Sequence, residues 1–334
     1  MDPDPRYREL AARIGLGQSV RIAGLFEMLA DIGEADLMLA LPADVPTAAE
    51  KLGRDPDEVQ QMVDELFLKG LLFPSRKTDP PTWRMSRDLV QFHDATILWP
   101  QAPQEFLDLW REFMDQEWFG IAKTMGAEVT KPFTRVIPVG VSIEARTSIL
   151  DFDSVAAMIE KARSLAVTKC TCRLSMHNCE RPLEVCLQVD GAADYNLARG
   201  TGRALSREEA MDILKQAEEA GLVHVTLNRH EGNNFICNCC PCCCQTMPVL
   251  IEGGIRVVDP SRFVAVVDQQ ACTACGTCLD RCYFSAITLE DQEGAVAEVD
   301  PERCMGCGLC LVTCPGEALS LGEARRPSFI PGVG

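Results

Sequence analysis

Eighteen cysteines carry the chemistry open to this 334-residue chain, and they are unevenly placed. None stands in residues 1–169; ten lie between Cys170 and Cys244, and eight between Cys272 and Cys314. Those eight form two runs of one spacing: Cys272, Cys275, Cys278 and Cys282, then Cys304, Cys307, Cys310 and Cys314. Equivalent cysteines are 32 residues apart, and the repeat reaches past them: Asp268 matches Asp300, Gly276 matches Gly308, and Ala286 matches Ala318. Such regularity signals two copies of one supersecondary unit. The spacing suits an iron–sulfur cube, whose four irons each need one thiolate. Three cysteines two residues apart wrap one face of the cube. Glycines in the loop let backbone N–H groups turn toward the sulfurs. The fourth cysteine, three residues on, points the other way. Structural zinc also uses Cys-x2-Cys pairs, but it does not call for eight cysteines in this paired pattern.

Over residues 264–321 the chain resembles bacterial two-cluster ferredoxins, in which the fourth cysteine of each run ligates the other cluster. The resemblance implies two [4Fe–4S] clusters. One would take Cys272, Cys275, Cys278 and Cys314, and the other Cys304, Cys307, Cys310 and Cys282. Potentials on the order of −400 mV would follow. The family places proline after the fourth cysteine. Pro315 fits, but Tyr283 stands at the equivalent position of the first run.

The second cysteine field is denser. Cys170, Cys172, Cys179 and Cys186 are followed, much later, by Cys237, Cys239, Cys240, Cys242, Cys243 and Cys244. Six cysteines within eight residues cannot all face one metal. The ten supply ligands for one or two additional [4Fe–4S] clusters, with some to spare. Zinc, a non-cubane cluster or a metal-free thiol site stay open as alternatives. Arg173 and Lys169 are placed to neutralise cluster charge. His177 and His230 lie nearby but read as surface or packing residues. From residue 150 to 321 the arrangement looks like a group of multi-cluster iron–sulfur proteins from anaerobic microbes, which implies redox metabolism without a defined substrate.

The elements that must position these cysteines read as an α+β, multidomain chain. Residues 1–95 are helical with a short β-ribbon. Val59, Met62, Val63, Leu66 and Phe67 make one apolar helix face over 55–68. Asp55 is a cap at its start and Gly70 a stop at its end. A shorter helix, 47–52, precedes it, and 71–73 and 83–85 can pair after it. This order resembles a winged helix-turn-helix. The second helix, however, carries Asp55, Asp57, Glu58, Asp64 and Glu65, which phosphates would repel. Residues 96–132 form a helical connector, with Phe106, Leu109, Trp110, Phe113 and Trp118 on one face. Residues 133–260 read as a Cys-rich α/β domain. Strands are expected at 136–143, 165–168 and 222–227, with a helix around 155–165 and another started by the Ser206/Glu209 capping box. Cys170 and Cys172, and the six later cysteines, would then follow strands. The two-cluster domain covers 261–321, and 322–334 is expected as a loose tail.

Composition narrows the function. Net charge is −17, so the basic footprint of nucleic-acid binding is missing. An acidic surface suits a carrier steered onto a basic patch of a redox partner. No apolar run is long enough to span a membrane, and the acidic, proline-broken start does not read as a secretory signal. A cytoplasmic chain in an oxygen-poor host is expected, its thiols kept for metal rather than for disulfides. Neither Gly-x-Gly-x-x-Gly nor a P-loop occurs, so no nucleotide cofactor is signalled. The expectation is an electron-transfer component of an oxidoreductase, working with a redox partner protein and with no catalytic residue assigned. The alternatives are a reductase whose substrate-reducing centre lies in the central cysteines, and a redox-sensing regulator.

Overall fold

A computed structural model describes residues 2–75, 78–128, 131–140, 153–292 and 294–332. The chain divides into two compact units. The first comprises residues 1–120 with 174–176, and the second comprises 121–173 with 177–334.

The first unit is mostly helical: α1 (Pro5–Arg13), α2 (Val20–Leu29), α3 (Ile32–Ala40), α4 (Val45–Leu52) and α5 (Pro56–Lys69) precede the ribbon β1 (Leu72–Ser75) and β2 (Thr82–Met85), then α6 (Leu89–Ile97) and α7 (Gln104–Phe113). Local chemistry sets these boundaries. Asp44 accepts from the Thr47 amide, and Asp55 from that of Asp57, each satisfying an orphan donor at a helix start. Gly53 and Gly70 end α4 and α5 in the left-handed region. The ribbon is antiparallel, with Phe73 opposite Arg84. The aromatic face of α7 closes this unit's own core: Phe106, Trp110 and Phe113 are fully buried, and Trp110 meets Phe92 at 5.3 Å between ring centres.

The second unit begins within α8 (Phe119–Glu128). It continues through β3 (Thr134–Val136), α9 (Val155–Lys161), β4 (Leu165–Lys169), α10 (Thr171–Met176, shared with the first unit), β5 (Glu184–Val189), α11 (Gly191–Ala198), β6 (Arg203–Ala204), α12 (Arg207–Glu219), β7 (Val223–Leu227), β8 (Phe235–Cys239), α13 (Met247–Ile251) and β9 (Val258–Asp259). The strands form one sheet in the order β6-β4-β5-β8-β7-β3-β9. All its pairings are antiparallel except β3 with β9. The expected helix at Ser206 is present, with the Ser206/Glu209 capping box formed.

Two expectations change here. The strand expected at 136–143 lies earlier, at 134–136, and shares only Val136 with that range; beyond it Pro138 has no N–H to give a ladder. Val139 instead donates to the Cys307 carbonyl at 2.9 Å, and 141–143 lie outside the described residues. The cysteines are also not all beyond strand ends. Cys186 lies inside β5, and Cys237 and Cys239 lie inside β8. The rule that places ligands past strand ends belongs to parallel sheets with helices on both faces. In this antiparallel sheet, a face can serve instead.

The C-terminal part folds onto that sheet as β10 (Phe263–Val267), α14 (Thr277–Arg281), β11 (Ile287–Thr288), β12 (Glu298–Val299), α15 (Leu309–Val312) and β13 (Leu319–Glu323). Strands β10 and β13 pair, as do β11 and β12. The 32-residue repeat is visible bond by bond. The Cys272 amide donates to the Asp268 carbonyl as that of Cys304 does to Asp300, each at 3.0 Å. The Asp268 amide reaches the Ala318 carbonyl in the other half, and that of Asp300 reaches Ala286. Past β13, described residues of the segment expected as a loose tail contact the rest of this unit. Ile330 is buried, Arg325 donates to the Ser261 carbonyl at 2.9 Å, and the His230 amide donates to the Pro331 carbonyl at 3.1 Å.

Candidate metal centres

The two C-terminal quartets are built by the repeat. Gly276 and Gly308 sit at φ 75° and 78°, each starting the short helix that carries the third cysteine of its run. Ala274 and Gly306, also 32 residues apart, take φ 55° and 62°. These left-handed turns bend the loop around a hollow and aim backbone N–H groups inward. Cys272, Cys275 and Cys278 line one hollow together with Cys314 from the other run. In the second quartet, Cys304 and Cys282 both act on Cys307, whose thiol is pushed up to about 12, chiefly by burial. Burial likewise raises the Cys310 thiol, with Cys307, Cys304 and Cys282 adding to it. Amides point at the sulfurs: Ala286 at Cys282 and Ala318 at Cys314, each at 3.3 Å, and Ala265 at Cys304, at 3.4 Å. Donors so placed favour a charged sulfur. A thiol-lined hollow with inward amides fits a cube held by four thiolates. Cys275 is the exposed member of the eight.

Tyr283 answers for the missing proline. Its hydroxyl donates to the Gly221 carbonyl at 2.9 Å and accepts from Arg181 at 3.0 Å. Arg281, two residues earlier, donates to the carbonyls of Glu218 and Glu219 at 2.8 and 2.7 Å. Both side chains thus grip the C-terminus of α12, whose last carbonyls have no partner within the helix.

The ten central cysteines separate into two groups. Cross-strand partners His224 and Asn238 face α12: His224 lies 3.1 Å from Glu218 and 2.5 Å from Asn238. Side chains alternate along a strand, so Cys237 and Cys239 face the other way. Register brings Cys186 beside Cys237, since their neighbours Leu187 and Ile236 are paired. Cys170 caps α10 at the end of β4, and Cys172 lies one residue inside that helix. Cys244 completes a ring of thiols. Cys170 touches Cys172 and Cys186; Cys244 touches Cys172 and Cys239; Cys237 touches Cys186 and Cys239. Hydrogen bonds from Cys172 hold the Cys170 and Cys244 thiols well below the ordinary range, while the bonds around the ring, together with burial, push those of Cys172, Cys186 and Cys239 well above it.

The second group is Cys179, Cys240, Cys242 and Cys243, whose sulfurs all lie within 4.8 Å of one another. The Cys240 thiol is lowered to about 5, first by a hydrogen bond from Cys243 and then by the neighbouring Arg173. Arg173 is fully buried, forks onto the Asn238 carbonyl at 3.2 and 2.9 Å, and also acts on Cys170 and Cys186. One guanidinium thus serves both thiol groups. Lys169 and His177 are exposed, and His230 is half-buried. The arginine is legible in Cys-Thr-Cys-Arg as a nearby charge. The partition of ten cysteines into six and four is not, because it depends on strand register.

The thiol face of the sheet is the face that the C-terminal module covers. Val223, Val225 and Cys244 share one apolar cluster with Met305 and Leu309, and Cys237, Cys239 and Cys307 pack against it.

Residues 261–318 match the family model of the 4Fe-4S dicluster domain. That domain implies two [4Fe–4S] clusters in this part of the chain. Comparison with curated proteins and with solved structures finds no match. Among the described residues, no helix is long and apolar enough to cross a membrane.

Proposed function

We propose that this chain is an iron–sulfur electron-transfer protein serving an oxidoreductase, with a third iron–sulfur centre on the six-thiol ring. The reading is carried by one observation: the dicluster module is packed against the thiol face of the central sheet, with Cys307, Cys237 and Cys239 in a single apolar cluster. When bound, each cluster passes one electron. In the C-terminal module Cys272, Cys275, Cys278 and Cys314 would hold one, and Cys304, Cys307, Cys310 and Cys282 the other. A route then runs from the ring, past the Cys307 quartet, to the Cys275 quartet at the surface. Exposed Cys275 marks the side where a redox partner docks, and the acidic surface favours a partner with a basic patch. The chain's own residues supply amides to the sulfurs and place Arg173 beside the ring. We read the first unit, with its winged-helix order of elements, as a docking module, because the acidic face of α5 disfavours DNA. A cytoplasmic setting with little oxygen suits so many thiols.

The alternative is a reductase in which the ring itself meets substrate. It is favoured by Cys186, Cys237 and Cys239 being only half-buried. Oxygen-free purification with iron and sulfide counting and EPR tests both. About 12 iron per chain is expected, 8 of them lost when the C-terminal cysteines are replaced. Colourless protein, or zinc in the C-terminal quartets, would end the proposal. Turnover of small oxidised substrates by the isolated chain with an artificial donor would favour the reductase.

A further inference from the structure

The sulfurs of Cys179, Cys240, Cys242 and Cys243 converge more tightly than any other set of three or more candidate ligands among the described residues. Cys179 lies 3.9 Å from Cys240 and 3.8 Å from Cys243, and Cys242 lies 3.9 Å from Cys243. Ligand spacing discriminates between centres. One tetrahedral ion with metal–sulfur bonds of about 2.3 Å sets its sulfurs about 3.8 Å apart. A cube spreads its four thiolates over four corner irons, which puts their sulfurs roughly 6 Å apart. The eight cysteines of the dicluster domain are not drawn together in this way.

We propose that Cys179, Cys240, Cys242 and Cys243 hold a single tetrahedral divalent ion, zinc in the first instance, separate from the iron–sulfur clusters. Local structure supports a closed, structural site. Three ligands come from one turn, Cys240-Pro241-Cys242-Cys243, whose proline restricts the backbone. The fourth comes from the loop after α10, and Asn178 beside it donates to the Cys242 carbonyl at 2.8 Å. A divalent ion with four thiolates carries a net charge of −2, and buried Arg173, within reach of Cys240, offsets part of it. Four sulfurs leave no open position, so the ion would not meet substrate. Its effect would be to staple the 177–183 loop to the 240–244 turn. Arg181 on that loop bonds Tyr283 of the dicluster module, so the staple would stiffen the seam between the two iron–sulfur regions. The inference does not depend on how many clusters the ring holds.

The test uses the full chain purified without oxygen, with zinc, iron and acid-labile sulfide counted in the native protein and in Cys242→Ser and Cys179→Ser. The native protein is expected to hold about one zinc, or one iron without matching sulfide. Each variant should lose that ion and keep its other iron and sulfide. Zinc-edge X-ray absorption on the native protein should show four sulfurs at about 2.3 Å, and this readout stands even if the variants do not fold. Loss of about four iron with four sulfide in the variants would make the site a cubane and overturn the proposal. So would native protein with no zinc and no iron beyond its sulfide.

Discussion

At the scale of single residues, backbone conformation and one buried charge decide whether the sulfurs can face metal. Gly306 and Ala274 occupy equivalent left-handed turns, yet only the glycine is sterically required. A Cβ at Gly306 would collide with the Phe263 carbonyl and the Ser261 hydroxyl. Gly306→Ala is therefore expected to cost several kcal/mol, on the order of 3, and to release the iron of the Cys307 quartet. Ala274→Gly should stay within about 1 kcal/mol. Iron content and thermal melting of the two variants check the contrast, which would fail if both behaved alike. Arg173 acts through charge. Arg173→Met removes the cation shared by both thiol groups and leaves the Asn238 carbonyl without that donor. The midpoint potential of the centre proposed on the ring should fall by on the order of tens of millivolts, while the dicluster signals hold their positions in an EPR-monitored titration. Arg173→Lys should fall between the two, since an ammonium keeps the charge but not the planar fork. An unchanged central signal in both variants would remove this role.

At the scale of elements, the docking of the dicluster module rests on the end of α12. Arg281 and Tyr283 donate to the carbonyls of Glu218, Glu219 and Gly221 at its C-terminus. Tyr283→Phe keeps the ring but loses the hydroxyl's bonds to Gly221 and Arg181. A loss of about 1 kcal/mol is expected, with all iron retained. Faster amide exchange at the C-terminus of α12 and around 181 would report it; unchanged exchange there would show that the hydroxyl is dispensable. The substitution of tyrosine for the usual proline is thus a docking feature of the first repeat. The second repeat keeps Pro315.

At the scale of the whole molecule, the proposed exchange of electrons with a partner would depend on net charge and on the exposed Cys275. With a net charge of −17, the reduced protein should transfer electrons to a basic c-type cytochrome several-fold faster at about 0.05 M salt than at about 0.5 M. Stopped-flow mixing measures this, and a salt-independent rate would show that the acidic surface plays no part in encounter. Cys275→Ser, at the exposed corner, should slow the reaction at either salt concentration.

The amino-acid sequence alone determined the eight-cysteine module. Its spacing is local, each run forming its own loop, so the chemistry is written in consecutive residues. Caps at Asp55 and Ser206 and the stop at Gly70 are equally local, and all three are formed. The central cysteines were legible only as a cluster. Whether Cys186 meets Cys237, or Cys179 meets Cys243, depends on antiparallel register and on a turn that brings residues about sixty apart together. Strand alternation then puts Cys237 and Cys239 on the face that the dicluster module covers. Sequence near 237 could not reveal this, because a one-residue slip would turn every sulfur to the opposite side.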